Sequence, residues 1–340
     1  MSLKKLIDVS TLSQLLKTNA INNGVRLLDC TSAIGQKPDW EKFKEELYGN
    51  FQEILSRPTL SNQIYLSAHI PQAVHVSLDA AMFPSKYERF ALYPSELFEK
   101  YIQMVGVNKG EHIILYSRGP LGGMMFSAKF AWLFKSYGHE QLSVLDGGFD
   151  LWTRKGLEIS TGDYRLPPGD WTAKDMIAEN NIKFEELEGK KGEKLYMERT
   201  EEMSCNQSPL TARMSRGLVN FLDARIRGQF DGTEDTGLDP HRVNGSNIPG
   251  FKSAPAAELV NENGLMKGAE EIRQWLSANG YKRDQPVVTN CNTGMQAAML
   301  AFAIDLAYPD VTPRVYNGSL KEMELRDPAK ICGGRKHLPA

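Results

Sequence analysis

Short apolar runs alternate with longer amphipathic ones along the chain, and the whole alternation occurs twice. In the first half a strand-like run ends in Leu27-Leu28-Asp29-Cys30, and Ala68-His69-Ile70-Pro71-Gln72-Ala73 follows. An amphipathic helix pattern from Leu97 to Val105 then leads to the apolar strand Ile113-Ile114-Leu115-Tyr116. The second half repeats this with Phe221-Leu222-Asp223-Ala224, His241 through Asn247-Ile248-Pro249, a helix pattern from Ile272 to Leu276, and Pro286-Val287-Val288-Thr289. Each of these last strands enters a glycine-containing loop and then a long apolar helix, Met124 to Tyr137 and Met295 to Tyr308. Each helix gives way to a strand and turn, Val144-Leu145-Asp146-Gly147-Gly148 and Val315-Tyr316-Asn317-Gly318-Ser319.

Ser117 and Cys291 lie 174 positions apart, and Asp146 and Asn317 lie 171 apart. A near-constant offset of that kind is the mark of a duplicated domain. Strands alternating with helices predict an α/β architecture, a parallel sheet flanked by helices in each half. The expected organisation is a first domain over residues 5–160, a linker with a polar insertion over 161–215, and a second domain over 216–328. The linker contains Pro167-Pro168-Gly169 and the charged run Glu188 to Lys194, with a helical patch near Phe184 to Leu187 and a polar insertion around Thr200 to Arg213. The tail after Cys332 is expected to be disordered.

The 340 residues carry 40 Lys+Arg against 42 Asp+Glu, a formal charge of −2, which gives no basic run for nucleic acid to recognise. No stretch reaches the roughly 18 apolar residues of a membrane span. The N-terminus lacks the apolar core of a secretory signal, so the cytoplasm is the expected location, with mitochondria as the alternative. Cys30, Cys205, Cys291 and Cys332 are far apart and form no CxxC or other metal-ligand spacing. They read as free thiols, and neither a metal nor a cofactor is expected. Each cysteine becomes a candidate nucleophile.

Cys291 is distinguished by its place. It follows a buried strand and precedes Asn292-Thr293-Gly294, after which a helix begins. Ligands of open α/β sheets bind at the carboxyl ends of strands. Loop amides and a helix N-terminus with about half a positive charge favour a thiolate and an anion attached to it. The first-half counterpart, Ser117 to Gly122, has serine in place of cysteine, so one loop alone can do thiol chemistry. A phosphatase loop of this type needs an arginine six residues past the cysteine, and that position is Ala297.

These residues resemble the tandem rhodanese sulfurtransferases, and most closely the 3-mercaptopyruvate sulfurtransferases. The features that carry the likeness are Leu-Asp at the first strand end of each half, Ala68-His69-Ile70-Pro71, Leu145-Asp146-Gly147-Gly148 with Trp152, and the loop Cys291 to Gln296. The likeness implies two tandem rhodanese-like domains. It also implies a Cys291 persulfide that takes sulfur from a donor and passes it to a thiol, such as thioredoxin, or to cyanide. Thr293 and the loop residues Asn292, Gly294, Met295 and Gln296 would complete the site. A hydroxyl residue two places after the cysteine is typical of mercaptopyruvate users in this family, and a basic pair of thiosulfate users.

The departures concern the donor. The strand end Asp223-Ala224-Arg225 is kept, but the family's two carboxylate-binding arginines fall at Gln229 and Leu238. The aspartate of the family's proposed Asp–His–Ser relay matches Asp79, while the histidine falls near Arg89-Phe90 and Thr293 stands in for the serine. Arg225, Arg227 and Arg242 are therefore the candidates, with Asp79, for holding the donor. His69 is expected to anchor a loop by hydrogen bonds, and Trp132 and Trp152 to pack the core. The expected function is transfer of a sulfane sulfur from 3-mercaptopyruvate or a related donor. The alternatives are thiosulfate as donor, or a weakly active or non-catalytic binding protein of the same fold.

Overall fold

A computed structural model of the protein describes residues 3–187, 219–234 and 247–332. The first strands are β1 Leu6–Ile7, β2 Val25–Asp29 and β3 Val74–His75, followed by the small antiparallel pair β4 Met82–Phe83 and β5 Ala91–Leu92, then β6 His112–Tyr116 and β7 Leu142–Leu145. The later ones are β8 Asn181–Ile182, β9 Asn220–Asp223, β10 Lys252–Ser253, β11 Val287–Asn290 and β12 Arg314–Tyr316. They form two five-stranded parallel sheets, in the orders β1-β7-β6-β2-β3 and β10-β9-β11-β12-β8. Matched strand by strand, the second order is the first one reversed. Both halves thus share one topology, as the repeated pattern predicts.

β8 corresponds to β1, and both precede a helix: Phe184–Leu187 in the second sheet's unit and Val9–Lys17 in the first. The second sheet therefore begins at Asn181, inside the stretch read from sequence as linker. A two-residue edge strand pairing with β12 through Val315↔Asn181 is too short to show a period. The charged run Glu188 to Lys194, the insertion around Thr200 to Arg213 and the tail after Cys332 lie outside the described residues.

The chain divides into two compact units. One holds Met1–Lys86, Phe90–Ile177 and Val260–Lys267; the other holds Tyr87–Arg89, Ala178–Leu259 and Gly268–Ala340. In the first unit a core of Ile7, Leu12, Leu27, Ile114, Leu145 and Trp152 packs helices onto the sheet. In the second, Ile182, Phe221, Val288, Tyr316, Leu320 and Met323 do the same. Trp132 and Trp152 are buried, and the Trp152 indole donates to the Glu158 carbonyl at 2.8 Å.

Register places the functional loops. Asp29 lies opposite Tyr116, and Asp223 opposite Asn290, so Ser117 and Cys291 are each the first residue beyond a central strand. In the first unit Arg26 on β2 makes a bidentate bond to Glu111, just ahead of β6, at 3.1 and 2.7 Å, with both side chains buried. This pair holds β2 and β6 in step. Glu111→Ala is expected to leave a buried, uncompensated guanidinium and to cost about 3–5 kcal/mol of unfolding free energy. Chemical denaturation of the variant measures it.

Candidate active site

Strand β11 ends at Asn290, and the chain turns through Cys291, Asn292 and Thr293 before the helix Met295–Ala307. Gly294 caps that helix with φ of +79°, a backbone conformation open to glycine at little cost. The turn brings the Gly294 N–H back to the Cys291 sulfur at 3.1 Å. An amide donated to sulfur stabilises it as an anion more than as a neutral thiol.

The loop is held from the other side by the turn after β12. The Cys291 N–H donates to Ser319 Oγ at 3.1 Å, whose hydroxyl donates in turn to the Tyr316 carbonyl at 2.6 Å. Leu320 N–H donates to the Cys291 carbonyl at 3.2 Å, and Lys321 N–H to the Asn292 carbonyl at 3.1 Å. The first turn of the helix Ser319–Arg326 is thus a clamp on the nucleophile's backbone. Sequence reasoning misses Ser319 as a site residue. Its signal is visible only as the match between Asn317-Gly318-Ser319 and Asp146-Gly147-Gly148.

Cys291 itself is buried, as are Asn290 and Asn292 on either side of it. The side-chain amides of both asparagines have no hydrogen-bond partner among the described residues. A buried amide without a partner costs roughly 1–3 kcal/mol. Both groups belong to the residues next to Cys291 in sequence. Thr293 and Gln296 are half-buried and Met295 is buried, so all six loop residues gather at the strand end.

Residues 9–155 match the family of rhodanese-like domains. Over 343 aligned residues, spanning both chains in full, the sequence is 52% identical to mpst-1 of Caenorhabditis elegans, which is named as a thiosulfate sulfurtransferase. The chain belongs to the rhodanese sulfurtransferases. It is also 27% identical to human 3-mercaptopyruvate sulfurtransferase over 263 residues, 76% of this chain and 77% of the human one. Its fold is similar to that of SseA from Escherichia coli, with a TM-score of 0.67 at 22% identity over 93% of this chain and 99% of that one. Sulfur transfer is accordingly the reaction to be explained.

The arginines singled out in this sulfurtransferase fall in different places. Arg225 is fully buried and bonds Asp223 through Nε at 3.0 Å and Nη2 at 2.9 Å, while Nη1 donates to the Gln229 carbonyl at 3.4 Å. Arg227 is exposed and forms a bidentate pair with Glu258 at 2.7 and 2.8 Å, with a further bond to Asn279. Arg242 lies outside the described residues, as do Leu238, His241 and Cys205. Asp79 is an exposed residue of the first unit, in the short helix Leu78–Ala81.

Two other expectations hold in a narrower form. His69 does anchor its loop, but through its backbone, which exchanges 2.8 Å bonds with Ser160. Its buried ring nitrogens have no hydrogen-bond partner among the described residues; the ring packs on Tyr65 instead, 4.3 Å between centroids. Cys30 is also fully buried, and burial pushes its thiol well above the usual cysteine range, which suits it to packing. Among the described residues, no helix is long and apolar enough to cross a membrane.

Gly294 cannot be exchanged without disturbing the sulfur. A Cβ there would lie 2.7 Å from both the carbonyl and the side-chain oxygen of Asn317, in a conformation that L-residues rarely adopt. Gly294→Ala is expected to move the N–H away from Cys291 and to lower the rate of sulfur uptake by about a hundredfold, the usual scale for a 1 Å misplacement. Stopped-flow measurement of persulfide formation checks this, with circular dichroism to confirm that the fold is retained.

Proposed function

We propose that this sulfurtransferase takes sulfur from 3-mercaptopyruvate onto Cys291 and passes it to a thiol. The carrying observation is the Gly294 N–H held 3.1 Å from the Cys291 sulfur inside a clamped loop. In the first step the Cys291 thiolate attacks the donor sulfur. The carbon–sulfur bond breaks with its electron pair left on carbon, and the resulting enolate takes the proton given up by the donor thiol. Pyruvate leaves, and the terminal sulfur of the persulfide bears the charge. An acceptor thiolate then attacks that outer sulfur, and the Cys291 thiolate is regenerated. A protein thiol such as thioredoxin, or cyanide, fills the acceptor role.

The loop amide supports the anionic sulfur in both steps. Thr293 is assigned the hydrogen bond or proton relay beside it. Arg225 and Arg227 already satisfy Asp223 and Glu258, so donor recognition falls to the uncharged amides of Asn290 and Asn292 and to Arg242. Thiosulfate is the second reading, favoured by the name of the 52% identical nematode relative. The absence of a basic pair at 292 and 293 weighs for mercaptopyruvate. The cytoplasm is the proposed location, consistent with buried free thiols at Cys30 and Cys291.

Incubation with each donor separately, followed by intact mass measurement, is expected to show one added sulfur on Cys291. Cys291→Ser is expected to abolish both the added sulfur and turnover; full activity in that variant refutes the mechanism.

The donor itself is tested at position 229. Gln229 replaces a carboxylate-binding arginine, and a charge-assisted hydrogen bond is worth about 1.5–3 kcal/mol. Gln229→Arg is expected to lower KM for mercaptopyruvate about tenfold or more with little change in kcat, the pattern of uniform binding. An unmoved KM means that another cation already fills the role or that the donor is not a carboxylate.

A further inference from the structure

The clamp on Cys291 is itself held by a residue from far earlier in the chain. Tyr87–Arg89 belong to the same unit as the cysteine loop. The Tyr87 ring lies 4.2 Å beneath the Arg326 guanidinium, at the end of the helix whose first turn grips Cys291. Next to it, Glu88 Oε1 accepts a hydrogen bond from Asn317 Nδ2 at 3.0 Å. Asn317 in turn packs on Gly294, with its carbonyl and side-chain oxygens each 2.7 Å from the point where a Cβ would stand. Gly294 gives its N–H to the Cys291 sulfur.

We propose that Glu88 is a positioning residue for sulfur transfer, which fixes Asn317 against Gly294 and so holds the Gly294 N–H on the Cys291 sulfur. The proposal rests on the reading of Cys291 as the sulfur carrier. The geometry has one degree of freedom that matters. If the Asn317 side chain rotates, its oxygen leaves Gly294, and the tight packing that sets the loop's third amide is lost. A carboxylate acceptor resists that rotation better than a neutral one, because charge-assisted hydrogen bonds are about twice as strong.

The neighbourhood argues that Glu88 does more than fill space. Glu322 is buried in the clamp helix, its carboxyl faced by Glu88, Arg326, Tyr316 and Glu185. Arg326 Nε lies 2.8 Å from Glu322, and the same guanidinium pairs with Glu185. Glu322 thus shares one guanidinium with Glu185 and also meets the like charge of Glu88. Burial, and next the charge of Glu88, push the Glu322 carboxyl up to about 7. A glutamine at position 88 would accept the Asn317 amide without that repulsion.

The experiment compares Glu88→Ala, Glu88→Gln and Asn317→Ala in the full chain. It follows single-turnover sulfur uptake with mercaptopyruvate and with thiosulfate, steady-state kcat and KM, and the Glu322 carboxyl by carbon NMR. Glu88→Ala and Asn317→Ala are expected to slow uptake about 10–100-fold with KM nearly unchanged, the signature of a misplaced reacting group. Glu88→Gln is expected to recover most of that loss and to move the Glu322 titration to lower pH. Wild-type uptake in both alanine variants overturns the proposal, as does equal loss in the alanine and glutamine variants. A rise in KM alone also overturns it. If Glu88→Ala does not fold, Glu88→Gln and Asn317→Ala still decide it. Retained activity in Cys291→Ser would instead defeat the underlying carrier assignment, and is scored separately.

Discussion

In both halves of the chain a helix-start amide donates to the carbonyl of the residue that follows the central strand: Leu320 to Cys291 at 3.2 Å, and Phe149 to Ser117 at 2.9 Å. This bond ties each loop to the start of the helix beyond the neighbouring strand. It demands a left-handed residue just before the donor. Gly148 meets that demand in the first half with φ of +53°, and Ser319 in the second with φ of +54°. A non-glycine residue there stores strain of about 1–3 kcal/mol. Ser319 offsets it through its hydroxyl, which accepts the Cys291 N–H. The strained residue thus secures both backbone groups of the nucleophile, one directly and one through its neighbour.

A second constraint is the charge left at each strand end. Asp29 and Asp223 are fully buried, and each is met by an arginine, but from different places. Arg118 sits in the loop of the first half, immediately after Ser117; it lies 3.6 Å from Asp29, donates to the Ala68 carbonyl and covers the Phe149 ring at 3.9 Å. In the second half the counter-charge comes from the strand's own end, Arg225, two residues past Asp223. The corresponding loop position is then released to Asn292. Arg225 is fully buried with its own aspartate, which it meets through both Nε and Nη2.

The parts of this arrangement that rest on local pattern were legible in the sequence. The alternation of apolar runs with amphipathic ones marks both sheets, because buried parallel strands and their covering helices each leave a period or a run of their own. The strand-to-helix position of Cys291 follows from the same pattern. β8 was not legible, since two residues carry no period and its pairing with β12 spans more than a hundred positions. Ser319 and Glu88 escaped for the same physical reason. Their partners lie 28 and 229 residues away, and nothing in the type of a serine or a glutamate says which backbone group it will meet. Arg225 was visible as part of an Asp-Ala-Arg strand end, but whether it faces substrate or its own aspartate is decided by side-chain packing alone.

Loop length explains why the two repeats diverge in chemistry. From Ser117 to the next helix, which starts at Met125, the chain takes eight steps; from Cys291 to Met295 it takes four. The short loop returns the amide of the third residue to the sulfur, so the nucleophile faces an N–H. The long loop passes through left-handed residues at Gly119, Leu121, Gly122 and Gly123 and presents a carbonyl instead. Ser117 Oγ donates to the Gly123 oxygen at 2.5 Å and accepts from Ser127 N–H at 3.3 Å. An N–H at that distance stabilises a developing negative charge, whereas a carbonyl oxygen repels it and holds the hydroxyl proton in place. A cysteine at position 117 would thus meet an acceptor where Cys291 meets a donor. The first half could not run the reaction by gaining the thiol alone, and the asymmetry of the duplicated fold is set by the backbone between strand and helix as much as by the residue at its start.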